Sequence, residues 1–419
     1  MRFFLILIIF AIMAFLPSGM YARHILKRKK EFTSSIVLMF ALPTLSLLAF
    51  ALLVFATRLG YNMKVLEWIM WLMLLTMVPQ NIYAVFYGLD DIIYLFTKCN
   101  RKWMHYMGAT LAAVSVVMMI VGMATRHCLK VREVTIYSKN LPKEFDGMKI
   151  AHITDLHMGN LSPRDKYLEK IITKLNDIEP DMLVCTGDMV NLSAEELVGL
   201  DGLFEAIDAP LGRYAVMGNH DYGEYKKWNS EEAKAANLMA TYEAYRRVGF
   251  VLLNDSAVEI TIPLTEKILS HTEFTEHTEN DSLCSSSQRS PINVIGVENC
   301  GKEPFPCYGD LAEATEGIEP AGFNILLSHD PNHWDEEVVG NEYKYIDLTL
   351  SGHTHSAQLG VDLGIFKYSP SQWIFRQWDG LYQKGSQYLF VSRGLGYVGI
   401  PFRLGMSAEI SVIELRIEN

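Results

Sequence analysis

Five short apolar runs in the second half of this 419-residue chain each stop at side chains able to hold a metal ion. Met148–Thr154 runs into Asp155-Leu156-His157, and Met182–Thr186 into Gly187-Asp188. Arg213–Met217 runs into Gly218-Asn219-His220-Asp221, and Phe323–Leu327 into Ser328-His329-Asp330. Asp347–Leu350 runs into Ser351-Gly352-His353-Thr354-His355. The tips supply carboxylates from Asp155 and Asp188, imidazoles from His157, His220, His329, His353 and His355, and the amide of Asn219. A mixed nitrogen and oxygen set suits borderline first-row divalent ions such as Mn²⁺, Fe or Zn²⁺; Mg²⁺ and Ca²⁺ prefer oxygen shells. The ligands are too many for one ion and enough for two that share a carboxylate. Two ions about 3.5–4 Å apart form a clamp for in-line displacement at phosphorus. A lone His-Asp or Gly-Asp is ordinarily a turn or a satisfied polar pair, so it is the ordered series at strand ends that carries the signal.

For those tips to meet, the runs must be strands of layered α/β architecture, in which sites gather at the carboxyl ends of strands. Further strands are expected at Val251–Leu253, Asn293–Val297, Tyr388–Val391 and Ile410–Leu415. Helices are expected at Arg164–Ile178 and Glu231–Arg247. The first follows a Ser162-Pro163 start signal and carries apolar residues at Leu168, Ile171, Ile172 and Leu175. Residues 265–291 are crowded with Thr, Ser, Glu, His, Asn and Asp, which predicts a disordered insertion and a solvated setting for His271 and His277.

Several residues have ordinary readings. His152 and Cys185 lie inside strands and read as core. Asp221 reads as a turn cap or as the group that orients His220, and Asp330 as a support or turn residue. His333 and Trp334 either line a pocket or start a helix. Arg393 and Arg403, near the last strands, are candidates to grip phosphate. Cys300 and Cys307 are close enough to be bridged, and without a CxxC pair a structural zinc site of that kind is not indicated.

The first third of the chain is a different text. Residues 1–132 hold 14 Lys and Arg against 4 Asp and Glu, whereas the remainder holds 23 against 44. Half of all residues are hydrophobic and 20% are charged, fewer charges than a soluble domain carries. Four stretches, 3–20, 35–57, 66–87 and 104–125, are long and apolar enough to cross a bilayer. Basic flanks at Arg23, Lys27-Arg28-Lys29-Lys30 and Arg126, and aromatic residues such as Trp68, Trp71 and Trp103, suit the interfaces. The basic cluster beside the first stretch places loops 23–34 and 88–103 in the cytoplasm, so the domain at 131–419 is expected to face outward from a transmembrane region at 1–130. No charge lies deep in any span, which favours an anchor over an ion path. The acidic remainder argues against nucleic acid as a partner.

Asp-x-His, Gly-Asp, Gly-Asn-His-Asp, a single His and Gly-His-x-His, in that order and followed by Ser392-Arg393-Gly394-Leu395-Gly396, resemble the calcineurin-like metallophosphoesterase superfamily. More narrowly, the chain is similar to its membrane-anchored members. The resemblance covers roughly residues 145–419 and implies an α/β fold, a four-layer αββα sandwich, preceded here by a four-helix transmembrane region. It implies that Asp155, His157 and His355 hold one divalent ion, that Asn219, His329 and His353 hold a second, and that Asp188 bridges. His220 would be the general acid, and attack would come from a hydroxide shared by the ions. Where protein phosphatases of the superfamily have an Asp-Arg pair after Gly-Asp, this chain has Asn191-Leu192, which argues against a protein phosphatase. The expected activity is hydrolysis of a phosphoester, with a lipid-linked phosphodiester favoured by the anchor and the bilayer as partner. The alternatives are a tethered phosphodiesterase for a soluble nucleotide-like substrate and a non-catalytic metal-binding receptor.

Overall fold

The structure is a computed structural model. It describes residues 63–418 apart from 100, 162–164, 262–290, 303–304, 319–321 and 341, together with scattered positions between 11 and 51. The chain divides into two compact units, residues 1–128 with 397–407, and residues 129–396 with 408–419.

In the first unit, α1 (Met63–Thr97) has 35 residues and α2 (Lys102–Ala124) has 23. At 1.5 Å per residue both exceed the roughly 30 Å of a hydrocarbon core. Among the described residues, two helices rather than the expected four are long and apolar enough to cross a membrane. The stretches 3–20 and 35–57 lie largely outside the described residues. α1 also overruns its expected end and carries Asp90 and Asp91 within it. Asp90 is buried and accepts from the backbone N–H of Arg101 at 3.0 Å, satisfying a donor at the start of α2, with His105 Nε2 3.2 Å away. Along α2, Val114, Val117, Ile120 and Val121 are exposed. Residues 397–407 join this unit from far along the chain. The N–H of Arg403 donates to Gly122 O at 2.9 Å, Thr125 Oγ1 donates to Arg403 O at 2.9 Å, and the Phe402 ring lies where a side chain on Gly122 would be.

The second unit is built on two six-stranded sheets. The first runs β1 (Leu129–Ser138), β14 (Ala408–Ile417), β2 (Lys149–Ile153), β3 (Met182–Thr186), β4 (Arg213–Val216), β5 (Val251–Leu252). The second runs β12 (Gly380–Lys384), β13 (Gln387–Val391), β9 (Leu348–Ser351), β8 (Phe323–Leu327), β7 (Ile292–Gly296), β6 (Ser256–Ile260). β2 to β5 are parallel, as are β7, β8 and β9, with registers such as Ile150 opposite Met182 and Ile325 opposite Leu348. Central parallel strands are covered on both faces, which is why Met182–Thr186 and Phe323–Leu327 are apolar or small at nearly every position and wholly buried.

One apolar cluster, including Ile150, Val184, Val216, Ile325, Leu350 and Ile413, draws on both sheets. A second joins Ala151, Leu183 and Ala215 of the first sheet to α3 (Lys166–Ile178) and α4 (Glu231–Arg247). A third sets Ile295, Leu326 and Leu389 of the second sheet against α5 (Leu311–Ala314), Trp334 and Val338.

α3 begins two residues later than its expected start, because the Asp165 side chain accepts from the N–H of Tyr167 at 2.9 Å and caps it. The Ser162-Pro163 signal and all but the last residue of the 265–291 insertion lie outside the described residues. Sequence reasoning passed over β1, β6, β12 and the hairpin β10 (Val361–Asp362) with β11 (Lys367–Tyr368). β1 and β6 are edge strands whose residues alternate between exposed and sheltered, so they lack the continuous apolar run that marks a central strand.

Candidate metal centre

The tips of β2, β3, β8 and β9 bring candidate ligands into two groups. Asp155, His157 and His355 form one, and Asp188, His329 and His353 the other, with the candidate ligand atoms of each group within 4.8 Å of one another. In the first, His157 Nε2 and His355 Nε2 face each other at 3.1 Å, and His355 Nε2 lies 3.1 Å from Asp155 Oδ1. In the second, His329 Nε2 lies 3.2 Å from Asp188 Oδ2 and 3.2 Å from His353 Nδ1. Asp188 Oδ2 is also 3.8 Å from His157 Nε2, so one carboxylate oxygen addresses both groups. Asn219 Oδ1 is buried with no hydrogen-bond partner, while its amide nitrogen donates to Tyr225 OH at 2.7 Å. Imidazole nitrogens that converge with carboxylate oxygens in two groups, together with a buried amide oxygen left without a partner, fit divalent cations of the borderline class.

The backbone is bent to reach this arrangement. Asp155, His157, Asp188, His353 and His355 all have φ between 47° and 67°, the left-handed region that side-chain-bearing residues avoid. Two glycines make the crowding tolerable. Gly187, at φ 91°, has the Gly218 backbone where a Cβ would sit, and a Cβ on Gly352 would meet Thr154 Oγ1 and Asp155 Oδ2.

Behind the ligands, other groups fix orientation. His329 Nδ1 donates to Thr186 O at 2.6 Å, which turns Nε2 toward Asp188 Oδ2. His220 Nδ1 donates to Asn191 O at 2.8 Å, its ring stacks on Tyr225 with centroids 4.2 Å apart, and its backbone N–H donates to Asp188 Oδ1 at 2.8 Å. Asp221 accepts from the N–H groups of Gly218, Asp188, Met189 and Val190 and from Tyr245 OH, so it caps the two tips together. His353 is edged by Phe305 and Phe375 with centroids at 4.6 and 5.4 Å.

Burial works against charging all of these groups, and the balance differs among them. Asp155 and Asp188 are desolvated, yet the imidazoles of His355 and His329 hold them well below the usual carboxylate range. Burial opposes a proton on His329, but the Asp188 carboxylate raises it to about 10. Burial, with His220 next, lowers His157 to about 3, and burial with the nearby Asp188 charge raises Asp221 to about 6.

Some singled-out residues do other work. His152 is buried in β2 against Thr186 Oγ1 at 2.8 Å, and burial lowers it to about 3. Arg393, a candidate to grip phosphate, is buried in ion pairs with Asp362 and with Asp379 at 2.6 Å. Arg403 is buried and donates to Met406 O at 3.2 Å. His333 binds Ser328 and Glu337, while Cys300 and Cys307 are bridged. The residues that sequence reasoning missed are Tyr225, Tyr245, Phe305, Phe375 and the carbonyls of Thr186 and Asn191. Of these, Thr186 and Asn191 flank the Gly187-Asp188 motif and Tyr225 lies five positions past His220, whereas Tyr245, Phe305 and Phe375 stand apart from any motif.

Residues 148–357 match the family model of the calcineurin-like phosphoesterases. The chain is 26% identical over 296 residues to YkuE, an uncharacterized metallophosphoesterase of Bacillus subtilis, covering 70% of this chain and 87% of that protein. It is 28% identical over 291 residues to a transmembrane protein with metallophosphoesterase domain from Danio rerio, covering 68% of this chain and 57% of the fish protein. It is 28% identical over 292 residues to the UDP-2,3-diacylglucosamine pyrophosphatase LpxG of Chlamydia trachomatis, covering 63% and 83%. With the family's divalent-metal chemistry and two candidate ligand groups on its strand tips, the chain belongs to the calcineurin-like phosphoesterases and is a metal-dependent hydrolase.

Proposed function

We propose that this chain is a membrane-anchored phosphoesterase acting on a phosphodiester or pyrophosphate link in a lipid-linked substrate. The observation that carries the reading is Asp188 Oδ2, 3.2 Å from His329 Nε2 and 3.8 Å from His157 Nε2, a position from which one carboxylate would serve two metal positions. Asp155, His157 and His355 would hold one ion, and Asn219, His329 and His353 the other. When bound, two such ions polarise phosphoryl oxygens and lower the pKa of water, which is what a displacement at phosphorus needs. His220 does the rest. Its Nδ1–H is committed to Asn191 O, so Nε2 is the nitrogen that hands a proton to the leaving oxygen, and the Tyr225 stack holds the ring in place.

The apolar helices α1 and α2 support a bilayer-borne substrate, as does similarity to a protein named as a UDP-2,3-diacylglucosamine pyrophosphatase. The Cys300–Cys307 bridge supports an oxidising, outward-facing compartment.

The test uses the full chain in lipid nanodiscs, stripped of metal and resupplied with Mn²⁺, Zn²⁺ or Fe²⁺. Aryl phosphomonoesters, aryl phosphodiesters and bilayer-borne phosphodiesters are assayed, with Asp188→Ala as control. Metal-dependent turnover, strongest on the bilayer-borne ester and lost in the variant, is the expected result. Turnover on water-soluble esters alone would favour a tethered enzyme for a soluble substrate. Two ions bound without turnover would favour a receptor, and failure to bind metal would overturn the proposal.

A further inference from the structure

After the loop that carries His353 and His355, the chain forms an exposed apolar surface that the proposed chemistry does not use. The hairpin β10–β11 turns through Leu363-Gly364-Ile365-Phe366, closed by Leu363 N–H donating to Phe366 O at 3.0 Å. Ile365 is fully exposed, Leu363 is 70% exposed and Phe366 55%. Next to the hairpin, Trp373 and Ile374 are each 74% exposed, and Trp373 meets Tyr368 of β11 edge-on with centroids 6.1 Å apart. Scattered exposed apolar residues are common on proteins, but five large ones on a single projection are not.

The projection is held firmly at its base. Arg393 pairs with Asp362 and Asp379, Lys367 reaches Asp379 at 2.5 Å, and Ser369 Oγ donates to Ser356 O at 2.6 Å. Thr354 Oγ1 donates to Trp378 O at 2.8 Å, and Phe375 edges His353. The apolar tip is therefore braced against the loop that carries His353 and His355.

Its chemistry suits one partner. Between Leu359 and Arg376 the chain has a single carboxylate, Asp362, and Arg393 neutralises it. Aliphatic side chains with a tryptophan at the edge are the composition that settles at the boundary of headgroups and acyl chains. The same chain supplies the bilayer, since only four residues, Thr125–Cys128, separate α2 from β1.

We propose that Leu363, Ile365, Phe366, Trp373 and Ile374 dip into the headgroup region of the membrane that anchors the chain, so that the metal centre opens toward lipid headgroups. This rests on the membrane-anchored reading above and adds the surface that presents the substrate.

The test uses the full chain in nanodiscs that hold one copy each, with Cys99, Cys128 and Cys284 replaced by serine. An environment-sensitive fluorophore is attached at Ile365→Cys or, for comparison, at Lys174→Cys on α3. Lipids carrying a headgroup nitroxide should quench the label at 365 several-fold more than the label at 174. Equal quenching at the two sites overturns the proposal, whatever the activity. Independently, the pair Leu363→Asp and Ile365→Asp should lower turnover of a bilayer-borne phosphodiester about tenfold while leaving an aryl phosphodiester unaffected. Quenching at 365 in a protein that hydrolyses only soluble esters would retain the membrane contact and reject the lipid substrate.

Discussion

The helices α1 and α2 and the strands β3 and β8 are written in nearly the same alphabet of Leu, Val, Ile and Met, yet they present it in opposite directions. On α2 the residues Val117 and Ile120 are exposed; in the strands Val184 and Ile325 are wholly buried. The helices satisfy their backbone internally and can leave apolar side chains facing lipid. The strands satisfy theirs through neighbours, and what remains for polar side chains is the strand tip. The site is polar because it lies where the sheets end, and the left-handed turns at Asp155, His157, Asp188, His353 and His355 are where the chain leaves the ladder.

Substitutions can break or sharpen this contrast. Asp188→Ala removes the oxygen shared by both ligand groups, so metal content by elemental analysis and turnover should fall together, the latter by at least about a thousandfold. His220→Ala should keep the metal and lose about 10²–10⁴ in turnover, with the larger loss on esters that have poor leaving groups. Equal losses on good and poor leaving groups would remove His220 from the acid role. Ile325→Ala opens a cavity between the sheets and should cost about 2–5 kcal/mol in denaturant unfolding of the full chain. Asp90→Ala frees the Arg101 N–H at the start of α2, costing about 1 kcal/mol, with faster amide exchange there. Val117→Ala should change stability by less than about 0.5 kcal/mol. If Val117 proved as costly as Ile325, the outward reading of α2 would fail.

The legible part of the molecule follows from the same contrast. Central strands were readable because burial on both faces makes them continuous apolar runs, and Met182–Thr186 and Phe323–Leu327 stand where they were expected. The His and Asp residues that converge were readable by type, because few other roles gather such side chains at strand ends. Asn191 O and Thr186 O were not, since every residue has a carbonyl and only the fold selects which one meets an imidazole. Tyr225 and Phe375 owe their roles to loop paths with no periodic pattern. The partners of Arg393 were not legible, because nothing in the sequence ties its guanidinium to Asp362 and Asp379.

The excursion at residues 397–407 bears on how the protein can be handled. Gly396 donates its N–H to Asp155 O at 2.7 Å, and the very next residue belongs to the unit of α1 and α2. A gene trimmed to start at Leu129 would still encode Phe402, Thr125's partner Arg403 and the rest of that segment, now without the helices they fold against. An eleven-residue flap would hang directly after Gly396, whose N–H is bonded to Asp155 O. The boundary drawn on the linear sequence is thus a poor place to cut, and soluble expression of the hydrolase half calls for redesigning 397–407 as well as removing the helices.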